Sequence, residues 1–295
     1  MPQNRYSATQ LETFREVYRS DGAVHLPGLL TPAWTGRLTV ALRRARETLT
    51  ARTGSAVNPM QGRIPSPTPA AGDVYPTAEY SQAPGRLTIR WLWRDDAAVR
   101  SFFTDSGVAD VVGAVIGAQR LQYWYDLTFF HDPGADGAGT PWHHDIASFP
   151  CKGTQIPSLW IAMNDISEDM SPLQCIRGSH RNPTQFRPPV YIEPGTALPE
   201  GYGDMPDVEA KLACGEYQRL SWDIRAGDAL LIHPYTLHGA PPNRSDQARV
   251  AFTTRWAGDD VTWQPDSFSM KVPGVDLSRV TVGQRPDGPL FPFVR

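Results

Sequence analysis

The hydrophobic period of this chain changes once, near residue 121, and that single change limits the folds open to it. Ahead of it the pattern is helical. SATQLETFREVYRSDG pairs Ser7 with Gln10 in a capping box, then spaces Leu11, Phe14 and Tyr18 at helical intervals before Gly22. A second helix is expected from Thr31-Pro32, with Leu38, Ala41, Leu42 and Ala45 as its stripe, and a third over Asp110–Ile116. From Leu121 the period becomes two. LQYWYDLTFF predicts a long strand with Leu121, Tyr123, Tyr125 and Leu127 on one face. Shorter strands are expected at 158–163, 173–176, 217–224, 229–233 and 249–256. Helices first and strands afterward, without βαβ alternation, predict a mainly β fold: an antiparallel sandwich or barrel with flanking helices.

Two stretches interrupt this order. Residues 53–85 hold six prolines and several glycines, too many for regular structure. Residues 181–216 are the longest gap among the strands and are read as a lid, whose Phe186, Tyr191, Ile192, Leu198 and Tyr202 would cover a pocket, with an ordered surface loop or a subunit contact as the alternative. The 295 residues are taken as one domain: a helical flank over about 1–118, a β core over about 119–262, and the lid-like insertion at about 181–216.

Charge and cysteine usage narrow the function classes. A net charge of −3 gives no long-range attraction to nucleic acid, and the basic run Arg37, Arg43, Arg44, Arg46 and Arg52 reads as one solvated helix face. No run approaches the roughly 18 apolar residues of a membrane span. The polar opening MPQNRYSATQLETF lacks a secretory core, and Cys151, Cys175 and Cys214 form no CxxC pair. The expectation is a reduced cytoplasmic protein, monomer or homodimer.

The chemistry starts from PWHHDIASFP. In an extended chain His143 and Asp145 point to one side and His144 to the other. The i, i+2 pair can grip one metal, so His144 is expected in the packing layer behind it. A third ligand must come from His25, His131, His180, His233 or His238. His238 is the best placed: it follows a strand, and Arg249 begins the next strand eleven residues later. His233, just before Pro234, competes with it. Two histidines and a carboxylate leave three open positions on an octahedral ion, the pattern of non-heme iron(II) oxygenases. An arginine nearby suits a dicarboxylate such as 2-oxoglutarate. Zinc would favour nitrogen and sulfur donors, and no cysteine lies at ligand spacing.

WHHDIASFP, SLWIAMNDIS, SPLQCIRGSH and LLIHPYTLHGAPPNRSDQAR resemble, in order and spacing, the successive blocks of the phytanoyl-CoA dioxygenase family over about residues 121–256. The opening helix with DGAVHLPGLL resembles that family's start. The resemblance implies a double-stranded β-helix (jelly-roll, cupin-like) core, Fe(2+) held by the catalytic triad His143, Asp145 and His238, and 2-oxoglutarate anchored by Arg249. It sets Trp160 beside the co-substrate and makes Arg90 the counterpart of an upstream lysine or glutamine. It further implies consumption of O2, release of succinate and CO2, and oxidation of a small-molecule substrate. Hydroxylation is the default outcome, with desaturation, ring closure and epoxidation open to the same oxidant. The chain departs from the family at Met170-Ser171, where asparagine-glycine is usual, and at Ala240, which replaces a hydroxyl residue.

Trp93, Tyr125, Phe186 and Arg255 are the candidate substrate contacts. The ordinary reading of Tyr123, Tyr125, Trp91, Trp93 and Trp124 is core, with one or two of them open to lining an aromatic pocket. Arg255 shares a face with Arg249 if its strand is regular, with a surface salt bridge as its alternative role. The rival functions are a non-catalytic jelly-roll binding protein, a halogenase, for which Asp145 is one carboxylate too many, and a zinc- or manganese-dependent cupin-type isomerase. No Gly-rich phosphate loop, HExxH or Gly-x-Ser-x-Gly elbow is present. No cation cluster suited to the phosphates of an acyl-CoA marks the expected mouth, which favours a free metabolite.

Overall fold

The computed structural model describes residues 5–53, 79–83, 85–133, 139–188, 197–270, 272 and 280–295. Five helices run in chain order, α1 (Ala8–Asp21), α2 (Pro32–Thr53), α3 (Ala97–Asp105), α4 (Val108–Ile116) and α5 (Val208–Ala213). The strands are β1 (Ala23–Leu26), β2 (Glu79–Ala83), β3 (Arg86–Arg90), β4 (Gln122–His131), β5 (Thr140–His143), β6 (Cys151–Lys152), β7 (Ser158–Ala162) and β8 (Gln174–Ile176). They continue with β9 (Gln185–Phe186), β10 (Tyr202–Gly203), β11 (Arg219–Leu220), β12 (Ala229–Ile232), β13 (His238–Ala240), β14 (Arg249–Ala257) and β15 (Thr262–Trp263).

Seven strands form a large antiparallel sheet in the order β1-β12-β7-β14-β4-β3-β2, and four form a smaller one, β11-β8-β13-β5. From β4 the chain crosses between them, β4 to β5, β7 to β8, β12 to β13, and back to β14. That alternation is the double-stranded β-helix, or jelly roll. Trp160, Ala162, Leu230 and Ala251 of the large sheet pack with Cys175 and Ala240 of the small one, so the inner faces meet directly.

The helices cover the outer face of the large sheet. Val24, Leu26, Ile89, Tyr123, Phe130, Leu159, Ile161, Leu231, Phe252 and Trp256 pack there against apolar side chains of α1 to α4. The helix ends follow the sequence pattern. Ser7 and Gln10 close a capping box, and the Thr31 hydroxyl accepts from the Trp34 amide at 3.1 Å. Gly22 ends α1 at φ +82°, where a Cβ would sit 2.4 Å from His180 Nδ1 and Thr236 Oγ1. Only glycine makes that turn into β1 without strain or collision.

Several expectations are corrected. The third helix begins at Val108, and α3, capped by Asp96, precedes it. The proline-rich stretch ends in β2, while 54–78 lie outside the described residues. The N-terminal flank is not purely helical, because β1, β2 and β3 extend both edges of the large sheet. Tyr123 and Tyr125 do not share a face. Arg255 is level with Tyr125 but Trp256 is level with Tyr123, so Trp124 is a bulged residue that inverts the phase. Leu121 and Tyr123 consequently face the helices, and Tyr125 and Leu127 face the other way.

The insertion is not irregular where it is described. β9 and β10 pair in parallel, and α5 follows. Phe186, Val208 and Leu212 pack with Ile176 and Leu237 on the outer face of the small sheet. Tyr202 is pinned, donating to the Ala147 carbonyl at 3.1 Å or to Asp266 Oδ2 at 2.7 Å. Tyr191 and Ile192 lie outside the described residues.

Phe252 is fully buried on the helix side of β14, edge-on to Phe102 at 5.7 Å between ring centroids. Phe252→Ala is expected to cost about 3–5 kcal/mol, through lost transfer energy and an unfilled cavity. Urea unfolding measures it, and a loss under 1 kcal/mol would contradict this packing.

Candidate metal centre

The small sheet brings two histidines side by side. His238 of β13 is level with His143 of β5, and their ring centroids are 4.2 Å apart. His144 keeps the backbone extended at φ −126° and ψ 151° before a short 3-10 turn begins at Asp145. Asp145 therefore returns to the side of His143, as the two-residue period requires. Asp145 Oδ1 lies 3.8 Å from His143 Nε2 and 3.9 Å from His238 Nε2. Two donors each ~2.1 Å from one ion stand about 3–4 Å apart, so the spacing fits a single metal. Among the described residues this is the one group of three such donors.

The backbone fixes which nitrogens are free. His143 Nδ1 is 2.8 Å from the Pro141 carbonyl, and His238 Nδ1 is 2.9 Å from the Thr236 carbonyl. A carbonyl can only accept, so each Nδ1 carries the proton and each Nε2 lone pair is turned toward Asp145. Burial, then the neighbouring His143, pushes the His238 pKa down to about 3, which keeps its ring neutral. Burial works against ionisation of Asp145. Arg255 first, then His238, His143 and the Ser158 hydroxyl together outweigh that burial, and the carboxyl stays well below its usual range.

His144 lies behind the cluster. Its Nε2 accepts the Phe186 amide proton at 2.8 Å, and its ring stacks on Phe186 at 5.2 Å. Phe186 is thereby removed from the candidate substrate contacts: it supports the layer behind the metal side. Trp93 is removed as well. After β3 the backbone turns sharply at Trp91, φ 63°, with the Leu92 and Trp93 amides donating to Asp126. That turn sends Trp93 edge-on against Tyr123 in the helix-side core. His233 sits beside His180 and Tyr18, apart from the three donors.

The large sheet supplies the opposing wall. Alternation on β14 turns Val250, Phe252 and Trp256 toward the helices and Arg249, Ala251, Thr253 and Arg255 toward the small sheet. Arg255 is buried and binds Asp145 at 3.0 Å, so its ion pair lies inside the protein and not on the surface. Tyr125 is level with it on β4. Trp160 of β7 is level with Thr253, and its ring centroid is 5.8 Å from the Arg249 guanidinium.

Arg249 is 2% exposed, and among the described residues none of its contacts is a carboxylate. Nη1 donates to the Ser171 carbonyl at 2.6 Å and lies 3.3 Å from the Ser171 hydroxyl. Nη2 donates to His131 Nε2 at 3.2 Å, and Nε has no hydrogen-bond partner among the described residues. Burial, then the Arg86 charge, pushes the Arg249 pKa down. Burial, then Arg249 and Arg86, pushes His131 down to about 2, which leaves it a neutral acceptor. Ser171 reaches Arg249 from a left-handed backbone, φ 60°, a conformation that glycine adopts at lower cost. Arg90 lies on the site-side face of β3, level with Leu127, whereas Arg86 is the residue level with His131 and Arg249. Sequence reading missed Ser158, Ser171, His131 and Arg86 in these roles. The period-two pattern of β4 would have turned His131 inward, but no local signal marks the two serines.

One family model, described as phytanoyl-CoA dioxygenase, matches residues 18–251, well over half of the chain. The chain belongs to the phytanoyl-CoA dioxygenase family. A probable phytanoyl-CoA dioxygenase from Caenorhabditis elegans is 26% identical over 189 residues, 62% of this chain and 58% of that protein. A probable alpha-ketoglutarate-dependent hypophosphite dioxygenase from Stutzerimonas stutzeri is 25% identical over 55% of this chain and 54% of its own length. The chain thus spans little more than half of these curated relatives. Among solved structures, the non-heme alpha-ketoglutarate-dependent carbocyclase SnoK from nogalamycin biosynthesis superposes with a TM-score of 0.66 at 21% identity, over all of both chains. The epimerase SnoN, solved with Fe3+, alpha-ketoglutarate and nogalamycin RO, gives 0.68 at 21% identity over 98% of this chain and all of that one. At such identities the likeness establishes the shared fold.

His143→Ala and Asp145→Ala are each expected to abolish tight metal binding, since each removes one of three protein donors. His144→Ala should retain it and cost about 1–3 kcal/mol, because the Phe186 amide loses its buried acceptor. Metal content after dialysis, with thermal unfolding alongside, distinguishes the two classes.

Proposed function

We propose that this chain is an iron(II)- and 2-oxoglutarate-dependent oxygenase that oxidises a C–H bond of a small-molecule metabolite, hydroxylation being the default outcome. One observation carries the reading: a two-histidine, one-carboxylate cluster with both Nε2 atoms turned toward the carboxylate, facing a buried arginine that meets no carboxylate among the described residues. The donor set suits a ferrous ion with three open positions. A buried guanidinium without a carboxylate is costly in isolation, and a dicarboxylate co-substrate relieves that cost. The unpartnered atoms support the fit, because Arg249 Nε and Thr253 Oγ1 are both buried polar atoms of β14 without a hydrogen bond among the described residues.

When bound, iron and 2-oxoglutarate supply O2-dependent decarboxylation to succinate and CO2 coupled to substrate oxidation. In this reading the protein's part is placement. His143, His238 and Asp145 hold the ion, and their ring orientations are set by Pro141 and Thr236. Arg249 receives the far carboxylate, and its own position is set by Ser171 and His131. Trp160 and Ala251 give the co-substrate a dry wall between the sheets. Tyr125, on the site-side face of β4, remains the candidate substrate contact.

The arginine run on α2 supports a free metabolite over an acyl-CoA. Arg44 pairs with Asp96, Arg46 with Asp132, and Arg37 stacks on Trp34, so these cations are engaged on the helix layer. A reducing cytoplasm suits the three free cysteines. No helix among the described residues is long and apolar enough to cross a membrane.

Purified protein given iron(II), 2-oxoglutarate and O2 should release succinate, faster with a true substrate, and chelation should stop it. Failure to release succinate under any metal loading would overturn the proposal. Arg249→Ala should leave metal binding intact and raise the 2-oxoglutarate requirement roughly a hundredfold, from about 2–4 kcal/mol of lost charge pairing. Unchanged 2-oxoglutarate affinity would remove Arg249 from the role.

A further inference from the structure

The two oxygens of Asp145 live in different surroundings. Oδ1 faces the Nε2 atoms of His143 and His238 at 3.8 and 3.9 Å. Oδ2 receives Arg255 Nη2 at 3.0 Å together with the hydroxyl of Ser158. Both donors come from the large sheet, where Arg255 and Ser158 are level across the β14–β7 ladder. The Arg255 guanidinium is buried, 5.8 Å from the Phe149 ring centroid, and its Nε and Nη1 have no hydrogen-bond partner among the described residues. Among the described residues Asp145 is the one carboxylate it meets.

A buried ion pair is a poor source of stability, since an apolar side chain of similar volume often serves as well. Arg255 also leaves two donors unsatisfied, which adds to its cost. Its geometry has a use of another kind. A carboxylate can ligate through one oxygen or both, and a second Asp145 oxygen on the ion would take one of the three positions left by the facial triad.

We propose that Arg255, with Ser158, is a positioning residue that holds Asp145 to a single metal-ligating oxygen and so keeps three positions open on the bound ion. The inference rests on the proposed iron and 2-oxoglutarate site and deepens it. Arg249 and Arg255 then divide the inner face of β14, one serving the co-substrate end and the other the metal end. The planar guanidinium suits this task better than a lysine, because its donors are fixed relative to one another.

Mn2+ is the probe, with no turnover required. Water-proton relaxation of the Mn2+-loaded protein counts metal-bound water, and titration then gives 2-oxoglutarate affinity. Arg255→Met should retain Mn2+ and lose about one of three bound waters. Its 2-oxoglutarate Kd should rise at least about tenfold, roughly 1.4 kcal/mol. Arg255→Lys should recover part of both losses, and Ser158→Ala, which removes no charge, should show a smaller change in the same direction. Ser158→Ala alone decides the matter if Arg255→Met does not fold. Wild-type water number and 2-oxoglutarate affinity in the folded variants would overturn the inference while leaving the function standing. A wild-type protein that binds neither Mn2+ nor 2-oxoglutarate would sink the function itself, and this inference with it.

Discussion

Two arginines on the buried face of one strand must each be given an acceptor, and much of the interior is arranged around that demand. Pairing of β14 with β4 on one side and β7 on the other leaves Arg249 and Arg255 no route to solvent. Taking a guanidinium out of water is expensive unless its donors are met. Arg255 is met by Asp145, and Arg249 only by neutral acceptors, a serine and a histidine. The difference separates a cation paired with a carboxylate of the protein from one that, among the described residues, meets only neutral groups.

The layers around β14 keep that arrangement rigid. Its other face, with Phe252 and Trp256, is locked into the helix-side core, so the strand cannot twist its arginines outward without unpacking aromatic side chains. The bulge at Trp124 serves both layers at once. It lets β4 give Tyr123 to the helices and Tyr125 to the inner side within three residues. On the far side, β9 and α5 of the insertion back the small sheet and seat Phe186 against His144. That contact stiffens the segment between the two candidate donors His143 and Asp145.

Much of this was legible before any coordinates. Strand and helix periods gave the layer order, and the caps at Ser7, Thr31 and Gly22 held because they depend only on local backbone and side-chain chemistry. The two-residue period of PWHHD set His143 and Asp145 against His144, which the backbone at His144 reproduces. The places of Phe186 and Trp93 escape a local reading for a common reason. Each aromatic side chain takes its place from a turn or a parallel strand pair, and hydrophobicity alone does not say which of two cores will receive it.

The sequence by itself determined the elements, the donor types and the phase of β14, because alternation and capping act over a few residues. Only the tertiary structure decided who meets whom. Arg255 finds Asp145 and Ser158 across 110 and 97 positions of chain, and Arg249 finds Ser171 across 78. Those meetings depend on strand register and on one bulge, and a slip of a single residue would turn every such side chain to the other face.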